Sequence, residues 1–580
     1  MNSPSTEPVG CATTDVAEAA KVHTRQATLQ NSWRRPICLL FTLSVILLLP
    51  ILIGGFPRLS DDGETHVRWQ HYYGTQLWAG DFFPRWLADI ADGFGSPAFF
   101  IYPPLPHYVA ALLTPFSESI EWVQHRLGIA TLLACFLGSA GCFLWFKQIT
   151  RNRESALIGA TVYLIAPYHL FIDTYFRAAY AELWAFAFAP LALAGIHLMT
   201  SRRRTGLSLY ILGMTALLMS HAPSALIFLP LFMVYSCLTT LVFRRADILF
   251  WTGVGTCTGI LLAGAYLGTA LTQQKYINTA ELYTGYFNFN NWLIFNPNPV
   301  SKLAFNITGV LQATATVLLA GVVVARKAGE KELRWLALLT IVGTCLLFFM
   351  MTSFSAVVWA LIPSAQKIQF PWRLQTIQTI LLALSAALCL GIIKSEADKN
   401  NVSGSQGSRK RAGLVLVVVL LGSNAAMMYR WPPKFDISAP IRSVETAEYT
   451  LGDGISASKY FLDHDKVVIA KGDGTLRLIR WQARNIEFDI DSITPTEIAI
   501  KQFAYTGWTC TSAGMLKTCT VLSRSAGDIL RVEVAPGSHR LTLIMPEQDG
   551  ERWGRLASLA GLIIAATSIV FAGRARQCPL

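Results

Sequence analysis

Long apolar runs separated by short polar segments dominate this chain, and their lengths predict its elements. Each run approaches or reaches the roughly 17 to 25 residues that an α-helix needs to cross a membrane. The runs lie at about 37–55, 127–146, 156–172, 183–199, 205–220, 225–242, 248–269, 305–324, 335–351, 377–393, 414–428 and 556–572. The pattern therefore predicts a polytopic α-helical membrane protein with about twelve transmembrane helices.

Clusters of Lys and Arg punctuate these runs and fall on one side of the membrane if the spans alternate. They include Arg34–Arg35, Arg202–Arg204, Arg244–Arg245, Arg409–Arg411 and the pair Arg574 and Arg576. Basic loops are retained on the cytoplasmic side of a membrane. We therefore predict cytoplasmic N- and C-termini and, for a bacterium, a location in the inner membrane.

The segment after the first run, 57–124, is crowded with carboxylates, histidines and aromatic residues, and we call it the external loop. Asp61 has the side chain of an N-cap and Glu64 follows three positions later, which predicts a helix from about Asp62 to Ala79. On that helix Asp62 and His66 share a face with aromatic residues. A helix lying in the membrane interface is the alternative interpretation.

The segment 430–552 has a different pattern, because apolar and polar residues alternate with a period of two between Gly, Pro and Asp turns. Alternation of this kind predicts a small antiparallel β domain, which we interpret as a sandwich before the last helix. The remaining divisions are a disordered cytoplasmic tail at 1–35, a membrane module at 36–429, and the last helix with the cytoplasmic end at 553–580.

Composition agrees with a membrane protein and excludes other classes. Hydrophobic residues make up 53% of the 580 residues, charged residues only 14%, and the mean hydropathy is +0.41, which is too apolar for an ordinary soluble protein. The net charge of +12 lies in clusters between apolar runs, so we do not expect nucleic acid as a partner.

The external loop also carries a resemblance to a known superfamily. An acidic residue after the first span, a histidine four residues later, and the motifs GxG-x-P and YPPLPxY (Tyr102–Tyr108) resemble the first external loop of GT-C glycosyltransferases. Among these, the chain is most similar to bacterial multi-pass proteins named "6-pyruvoyl-tetrahydropterin synthase related". The resemblance implies transfer of a sugar from a polyprenyl-phosphate carrier, with an acidic residue of this loop as base or metal ligand. Tyr102 and His107, within the second motif, are candidate substrate-binding residues.

Asp62 and His66 are the candidate catalytic residues. A carboxylate at the membrane surface can take a proton from an acceptor hydroxyl, or it can hold a divalent cation such as Mg²⁺ or Mn²⁺ that neutralises a departing phosphate. In the second case Asp62 and His66 are the candidate metal ligands. A capping and solubilising role is the alternative for acidic residues at a helix start.

Further candidates lie where spans end. Arg177 and Glu182, in FRAAYAELWAF, are ionisable residues at the edge of an apolar bundle, where they mark a polar site or form an interfacial ion pair. His221 follows a span in SHAPS and either caps a helix or lines the same site. Each of the three is predicted to contact substrate.

KIQFPWR places cations on the external side, where the positive-inside bias gives no reason for them. Arg373 can bind phosphate through its planar guanidinium, and Trp372 can stack on a sugar or an isoprenoid. Snorkelling to lipid headgroups is the alternative. A resembling QFPWR stretch occurs in the same bacterial family.

Two expectations complete the sequence-based picture. Cys510 and Cys519 are the cysteines in the predicted β domain, and we expect a disulfide between them across a β-hairpin.

The function that the candidate site residues favour is an integral-membrane glycosyltransferase that uses a polyprenyl-phosphate-linked sugar. The alternative is a non-catalytic membrane component for translocation of polysaccharide or lipid, and an ion-coupled transporter is disfavoured because ionisable residues cluster at span ends.

Overall fold

The computed structural model of the protein describes residues 13–116, 119–296, 303–326, 331–399, 405–438, 440–441, 444–451, 461, 465–512, 519–523 and 527–574. In chain order the α-helices are α1 (Thr13–Gly54), α2 (Gly63–Trp78), α3 (Ala98–Ile101), α4 (Leu105–Ala111), α5 (Ile120–Thr150), α6 (Arg153–Ile165), α7 (Tyr180–Leu198), α8 (Arg203–Leu218), α9 (Ala222–Phe243), α10 (Ala246–Leu262), α11 (Gly264–Gln273), α12 (Leu303–Ala325), α13 (Lys331–Met350), α14 (Ala356–Leu361), α15 (Pro363–Gln366), α16 (Gln375–Lys399), α17 (Ser405–Arg430) and α18 (Asp549–Arg574).

The polytopic architecture is confirmed, with one refinement in the number of spans. Within the described residues, ten helical segments are long and apolar enough to cross a membrane, and α10 with α11, bent by 65°, forms an eleventh if the pair is one span. The run predicted at 205–220 corresponds to α8. Its 16 residues rise only about 24 Å at 1.5 Å per residue, short of the ~30 Å hydrocarbon core.

The N-terminal segment is helical where the sequence predicted a disordered tail. From Thr13 onward it is helical and continues into the first span as α1. Ala, Gln, Glu, Lys and Arg together make up half of the residues from Thr13 to Gln30, and these residues have high helix propensity, so the polar composition of the segment did not exclude a helix. Residues 1–12 lie outside the described part of the chain.

The predicted orientation can be tested at the connection between α16 and α17. We expect a cysteine introduced at Ser405, in a background without free cysteines, to resist a membrane-impermeant thiol reagent added to intact cells, because the adjacent basic cluster favours the cytoplasmic side. A cysteine at the exposed position Thr475 of the β domain serves as the control that reacts. Labelling at Ser405 from outside would reverse the topology.

The β domain is a sandwich of two antiparallel four-stranded sheets, as the alternating pattern predicts. One sheet has the order β1-β4-β7-β6 and the other β2-β3-β8-β5, and residues from both sheets form one hydrophobic core. The strands are β1 (Val467–Lys471), β2 (Gly474–Gln482), β3 (Asn485–Ser492), β4 (Thr496–Phe503), β5 (Thr509–Ser512), β6 (Cys519–Val521), β7 (Ile529–Val534) and β8 (Gly537–Ile544).

The disulfide between Cys510 and Cys519 is confirmed, but its position in the fold is not the predicted one. Cys510 lies on β5, which pairs with β8, whereas Cys519 lies on β6, which pairs with β7. The bond therefore joins edge strands of the two sheets instead of crossing a hairpin. The prediction was wrong on this point because strand pairing depends on partners distant in sequence.

Loss of this disulfide should loosen the sandwich without unfolding the protein. The cysteines are nine positions apart, and for so short a loop the chain-entropy model gives about 2 to 3 kcal/mol of stabilisation. We expect Cys510→Ser to lower the thermal unfolding midpoint of the β domain while the membrane abundance stays near wild type. Unchanged unfolding of the variant would show that the bond contributes nothing.

The external loop packs into the core of the sandwich, and this contact fixes the loop on the membrane bundle. The Trp86 indole N–H donates to Gln502 Oε1 over 2.6 Å, and the Phe503 backbone N–H donates to the carbonyl of Phe94 over 2.7 Å. Gly95 has φ +86°, and a Cβ there would lie 2.3 Å from the Trp86 ring. The turn thus requires glycine at this position.

The sandwich and the external loop each contact the bent pair α10–α11. The Tyr505 hydroxyl donates to Gln273 Oε1 over 2.8 Å, and Arg85 of the external loop donates to the carbonyl of Ala265 over 2.7 Å. Arg85 also lies 3.3 Å from Glu551 at the start of α18. The loop, the sandwich and the break between α10 and α11 are therefore held as one assembly.

Candidate functional site

A buried guanidinium organises the candidate site. Arg177 follows the π-helical segment Tyr168–Phe176 and forms ion pairs of 2.9 Å with three carboxylates. These are Asp62 of the external loop, Asp173 of the π-helical segment and Glu182 of α7. Among them only Asp62 is substantially exposed, with 42% of its side chain accessible. The site therefore joins the loop to the membrane bundle through one charge.

Glu182 extends the cluster to a second guanidinium. Its Oε2 lies 3.3 Å from Arg373 Nε, and its Oε1 accepts a 2.9 Å hydrogen bond from the Tyr168 hydroxyl. Arg373 Nη1 donates to the carbonyl of Ile368 over 2.9 Å and to Gln369 over 3.1 Å. Among the described residues, Nη2 of Arg373 has no hydrogen-bond partner, so it is the nitrogen that remains for a ligand.

Asp62 is where the cluster meets solvent. Its backbone N–H donates to the carbonyl of Arg177 over 2.8 Å, and its Oδ2 accepts from the Arg177 guanidinium. No donor to Oδ1 is found in the described part of the chain. The protein packed around the carboxyl raises its pKa, and the Arg177 charge opposes that shift. Asp62 thus combines an accessible oxygen with a raised pKa.

The predicted helix is confirmed within one residue, but the predicted cap is wrong. Asp62, not Asp61, occupies the N-cap of α2, and its side chain makes no capping hydrogen bond. The Asp62 carboxylate is turned to Arg177 instead, and Glu64 pairs with Arg58. The capping-box pattern therefore located the helix start correctly. The carboxylates of Asp62 and Glu64, however, form ion pairs with arginines and do not cap the helix.

Trp372 supports the two guanidiniums instead of presenting an open face. Its ring is nearly parallel to Phe305 and to Phe370, at centroid distances of 4.3 and 4.8 Å. The Arg177 guanidinium lies 4.5 Å from the Trp372 centroid. The sequence predicted that Trp372 stacks on a sugar or isoprenoid. The structure does not support this prediction, because protein groups already contact the faces of the ring.

The two predicted histidines of the external loop lie together, behind Asp62. The rings of His66 and His107 are 5.6 Å apart, packed against Tyr180. Burial, followed by the Arg177 charge, lowers the pKa of His66 to about 3, and burial lowers the pKa of His107 well below its usual value. Both imidazoles are therefore neutral. His66 makes no side-chain hydrogen bond to Asp62 in the described structure.

His221 and Tyr102 complete the set of predicted residues. His221 occupies the N-cap position of α9, and its Nδ1 lies 2.8 Å from the Ser224 hydroxyl. Burial and then the charge of Arg373 lower its pKa to about 3. Burial and then the Asp62 charge raise the pKa of Tyr102 well above its usual value. The fold thus gathers all the predicted residues around the Arg177 cluster, with His107 in the layer behind.

Sequence reasoning missed two contributors. Asp173 lies in the apolar stretch YHLFIDTYF, where an ionisable residue is itself a marker of function. Glu448 follows the last span of the module, in a segment where Glu445 accepts a hydrogen bond from the Trp69 indole over 3.1 Å. Burial raises the pKa of Glu448, and Glu445 and Asp62 add to the shift. This segment covers α2 and does not belong to the sandwich.

The donor set does not by itself fit a divalent cation. Among the described residues, no three His, Cys, Asp or Glu side chains lie close enough to hold a metal ion together. At Asp62 the adjacent charge is the Arg177 guanidinium, which repels a cation. Ligation of Mg²⁺ or Mn²⁺ by Asp62 and His66 stays a prediction.

Several solved structures are similar to this chain at low identity. The mycobacterial arabinofuranosyltransferase AftD aligns over 70% of this chain and 29% of its own, with 16% identity and a TM-score of 0.45. The Archaeoglobus fulgidus oligosaccharyltransferase aligns over 71% and 56%, with 11% identity and a TM-score of 0.41. ArnT from Cupriavidus metallidurans, bound to undecaprenyl phosphate, aligns over 62% and 79%, with 12% identity and a TM-score of 0.30. The chain thus spans less than a third of the AftD chain.

The family of the chain follows from a sequence comparison. No curated protein matches the chain. A family model described as "6-pyruvoyl-tetrahydropterin synthase related domain; membrane protein" matches residues 99–430, which is more than half of the 580 residues. The matched region contains Arg177, Glu182 and Arg373 of the site, together with the spans that carry them. The chain therefore belongs to the 6-pyruvoyl-tetrahydropterin synthase related family of membrane proteins.

Proposed function

We propose that the protein is an integral-membrane glycosyltransferase of GT-C type. It moves a sugar from a polyprenyl-phosphate donor onto an external glycan, lipid or protein acceptor, in the inner membrane of a bacterium. The observation that carries the proposal is the accessible Asp62 carboxylate, held by Arg177 at the boundary between the bundle and the external loop. The resemblance of the loop motifs to GT-C enzymes supplies the reaction class.

The proposed step uses Asp62 as the general base. The carboxylate takes the proton of the acceptor hydroxyl, the acceptor oxygen bonds to the anomeric carbon, and the bond from that carbon to the phosphate oxygen breaks. Polyprenyl phosphate leaves with the electron pair, and Arg373 stabilises its charge through Nη2. A general base of this kind contributes typically about 100-fold to 10,000-fold in rate.

The other residues bind or position substrate in this proposal. Arg177 and Glu182 fix the orientation of Asp62 and Arg373, and the ion pairs of Glu182 with the two arginines are shielded from water. Tyr102 and His221 contact the sugar from the sides of the site. His66 and His107, being neutral, shape the wall behind Asp62 and avoid a second positive charge beside Arg177.

The pool of lipid-linked sugars tests the proposal. We expect a polyprenyl-phosphate-linked sugar to accumulate in a strain that lacks the gene, and also in a strain that produces Asp62→Asn at wild-type abundance. A translocation component without turnover predicts accumulation in the deletion strain alone, because its site makes no use of a base. An unchanged pool in both strains would contradict the donor class.

Arg373→Lys tests the proposed phosphate contact. A guanidinium can hold Glu182, Ile368 and Gln369 through Nε and Nη1 while Nη2 contacts phosphate, whereas an ammonium concentrates its donors at one atom. We expect Arg373→Lys to lose most donor turnover, measured as sugar transfer in membranes, with normal abundance. The exposed residue Lys367 is the control, and Lys367→Arg should be silent. Full transfer by Arg373→Lys would contradict the phosphate contact; snorkelling to headgroups is already disfavoured, because Arg373 is buried and pairs with Glu182.

A further inference from the structure

A groove on the membrane-facing surface of the bundle lies apart from the Arg177 cluster. It has a volume of about 720 Å³, follows α10 and is open on one side. The Thr258 hydroxyl in its wall donates to the Val254 carbonyl over 2.7 Å, so this polar group is already satisfied. The apolar side chains that line it include Leu249, Phe250, Val254, Leu261 and Ile564. Such a wall suits a hydrocarbon chain.

The groove is elongated along the helix. It extends from Ala246 to Leu261, about 22 Å at 1.5 Å per residue, compared with ~30 Å for the whole hydrocarbon core. A Cβ added at Gly253 would meet nothing within 4 Å, so this glycine leaves the middle of the groove open. The dimensions therefore accommodate one extended lipid chain.

A positively charged rim lies at the Ala246 end. Arg203 and Arg245 both bind the Asp247 carboxylate, over 2.7 and 2.6 Å, so two guanidiniums share one negative charge. Arg204 and Arg244 are exposed nearby, and the Arg204 side chain approaches Gly573 at the end of α18. The rim thus has an excess of guanidinium groups, which bind phosphate strongly.

We propose that this groove holds one acyl chain of an anionic phospholipid, whose phosphate binds the rim. The apolar wall takes the chain and the unbalanced arginines take the headgroup, so the two halves of the site match the two halves of the lipid. A zwitterionic lipid fits less well, because its ammonium group would lie against the guanidiniums. Ala265, where the external loop contacts the bent pair, lies in α11 just beyond the opposite end of α10, so this lipid lies away from the proposed transfer site.

Lipid retention by the purified full-length protein tests the site. The protein is exchanged into nanodiscs of equimolar phosphatidylglycerol and phosphatidylethanolamine, and the lipids retained after release into detergent are counted by native mass spectrometry. We expect preferential retention of phosphatidylglycerol by the wild type. Gly253→Leu should lower it about tenfold, the loss expected when about two methylene groups are displaced. Gly321→Leu on α12 adds the same side chain to another open position and should change nothing.

The headgroup half of the site is tested separately. Replacing Arg204 and Arg244 by Gln should abolish the preference for phosphatidylglycerol while total lipid retention falls less than in Gly253→Leu. Equal retention of phosphatidylglycerol by wild type and Gly253→Leu would overturn the proposal. It would also be overturned if the wild type retained a polyprenyl phosphate that Gly253→Leu had lost, because the groove would then hold a different lipid. If Gly253→Leu does not accumulate in the membrane, Gly253→Ala replaces it and should lower retention in the same direction, and equal retention would again contradict the site.

Discussion

Asp62→Asn should abolish most sugar transfer while leaving the protein in the membrane at normal abundance. The substitution keeps the shape of the side chain and removes its charge, and loss of a general base costs about 100-fold to 10,000-fold in rate. Helix α2 should be unaffected, because the Asp62 side chain makes no capping hydrogen bond. The measurement is transfer in membrane vesicles, normalised to the amount of protein.

Asp61→Asn is the matched control for this prediction. Asp61 is the neighbouring exposed carboxylate. Its variant removes one negative charge, as Asp62→Asn does, but one position earlier in the chain, and it should transfer sugar normally. The pH profile gives a second readout. Since the protein packed around the carboxyl raises the pKa of Asp62, transfer should fall as the pH drops through a value above that of an ordinary aspartate. Wild-type transfer by Asp62→Asn would remove the catalytic assignment.

Arg177→Met should destabilise the protein more than any other single change in the site. It would leave Asp173 and Glu182 close together and buried without their shared cation, and breaking a buried pair costs about 3 to 5 kcal/mol. Asp62 adds less, because its side chain is partly solvated. We expect low membrane abundance and a lower unfolding temperature in detergent.

The cause of that loss can be separated from simple damage. Glu182 keeps its ion pair with Arg373 in Arg177→Met, whereas Asp173 keeps no ion pair among the described residues. Combining Arg177→Met with Asp173→Asn removes that uncompensated charge, so it should restore part of the abundance. Arg245→Met is the control, because Arg245 pairs with Asp247 at a partly exposed position where ion pairs contribute little. Normal abundance of Arg177→Met alone would show that the three carboxylates are not held together by this residue.

The spans and the sandwich could be predicted because hydropathy and period-two alternation are local properties of the sequence. The disulfide bond was predictable for a related reason, since Cys510 and Cys519 are the cysteines of the external domain. The placement of the two cysteines on different sheets could not be predicted, because it depends on how β5 and β6 pair with distant strands. Local sequence patterns thus predict the helices and strands, whereas the pairing of the strands depends on the tertiary fold.

The candidate site shows the same limit. Asp62, Arg177 and Arg373 were identified singly, as charges at span ends, but nothing in the sequence indicates that Arg177 links Asp62 to Asp173. Asp173 lies one position beyond the apolar run predicted at 156–172, and it was not recognised there as a charge at a span end. The role of Trp372 was misjudged because Phe305, which covers one face of its ring, lies more than sixty positions away.

The packing of the external loop into the sandwich has a consequence for how the protein is made. The hydrogen bond from Trp86 to Gln502 joins residues 416 positions apart. At a synthesis rate of about 5 to 20 residues per second, roughly 20 to 80 s separate the arrival of the two partners. During that interval the loop lacks the sandwich residues that Trp86 and Phe94 contact, so its packing is completed only near the end of biogenesis. We therefore expect the proposed activity to appear only after the sandwich strands have been translated.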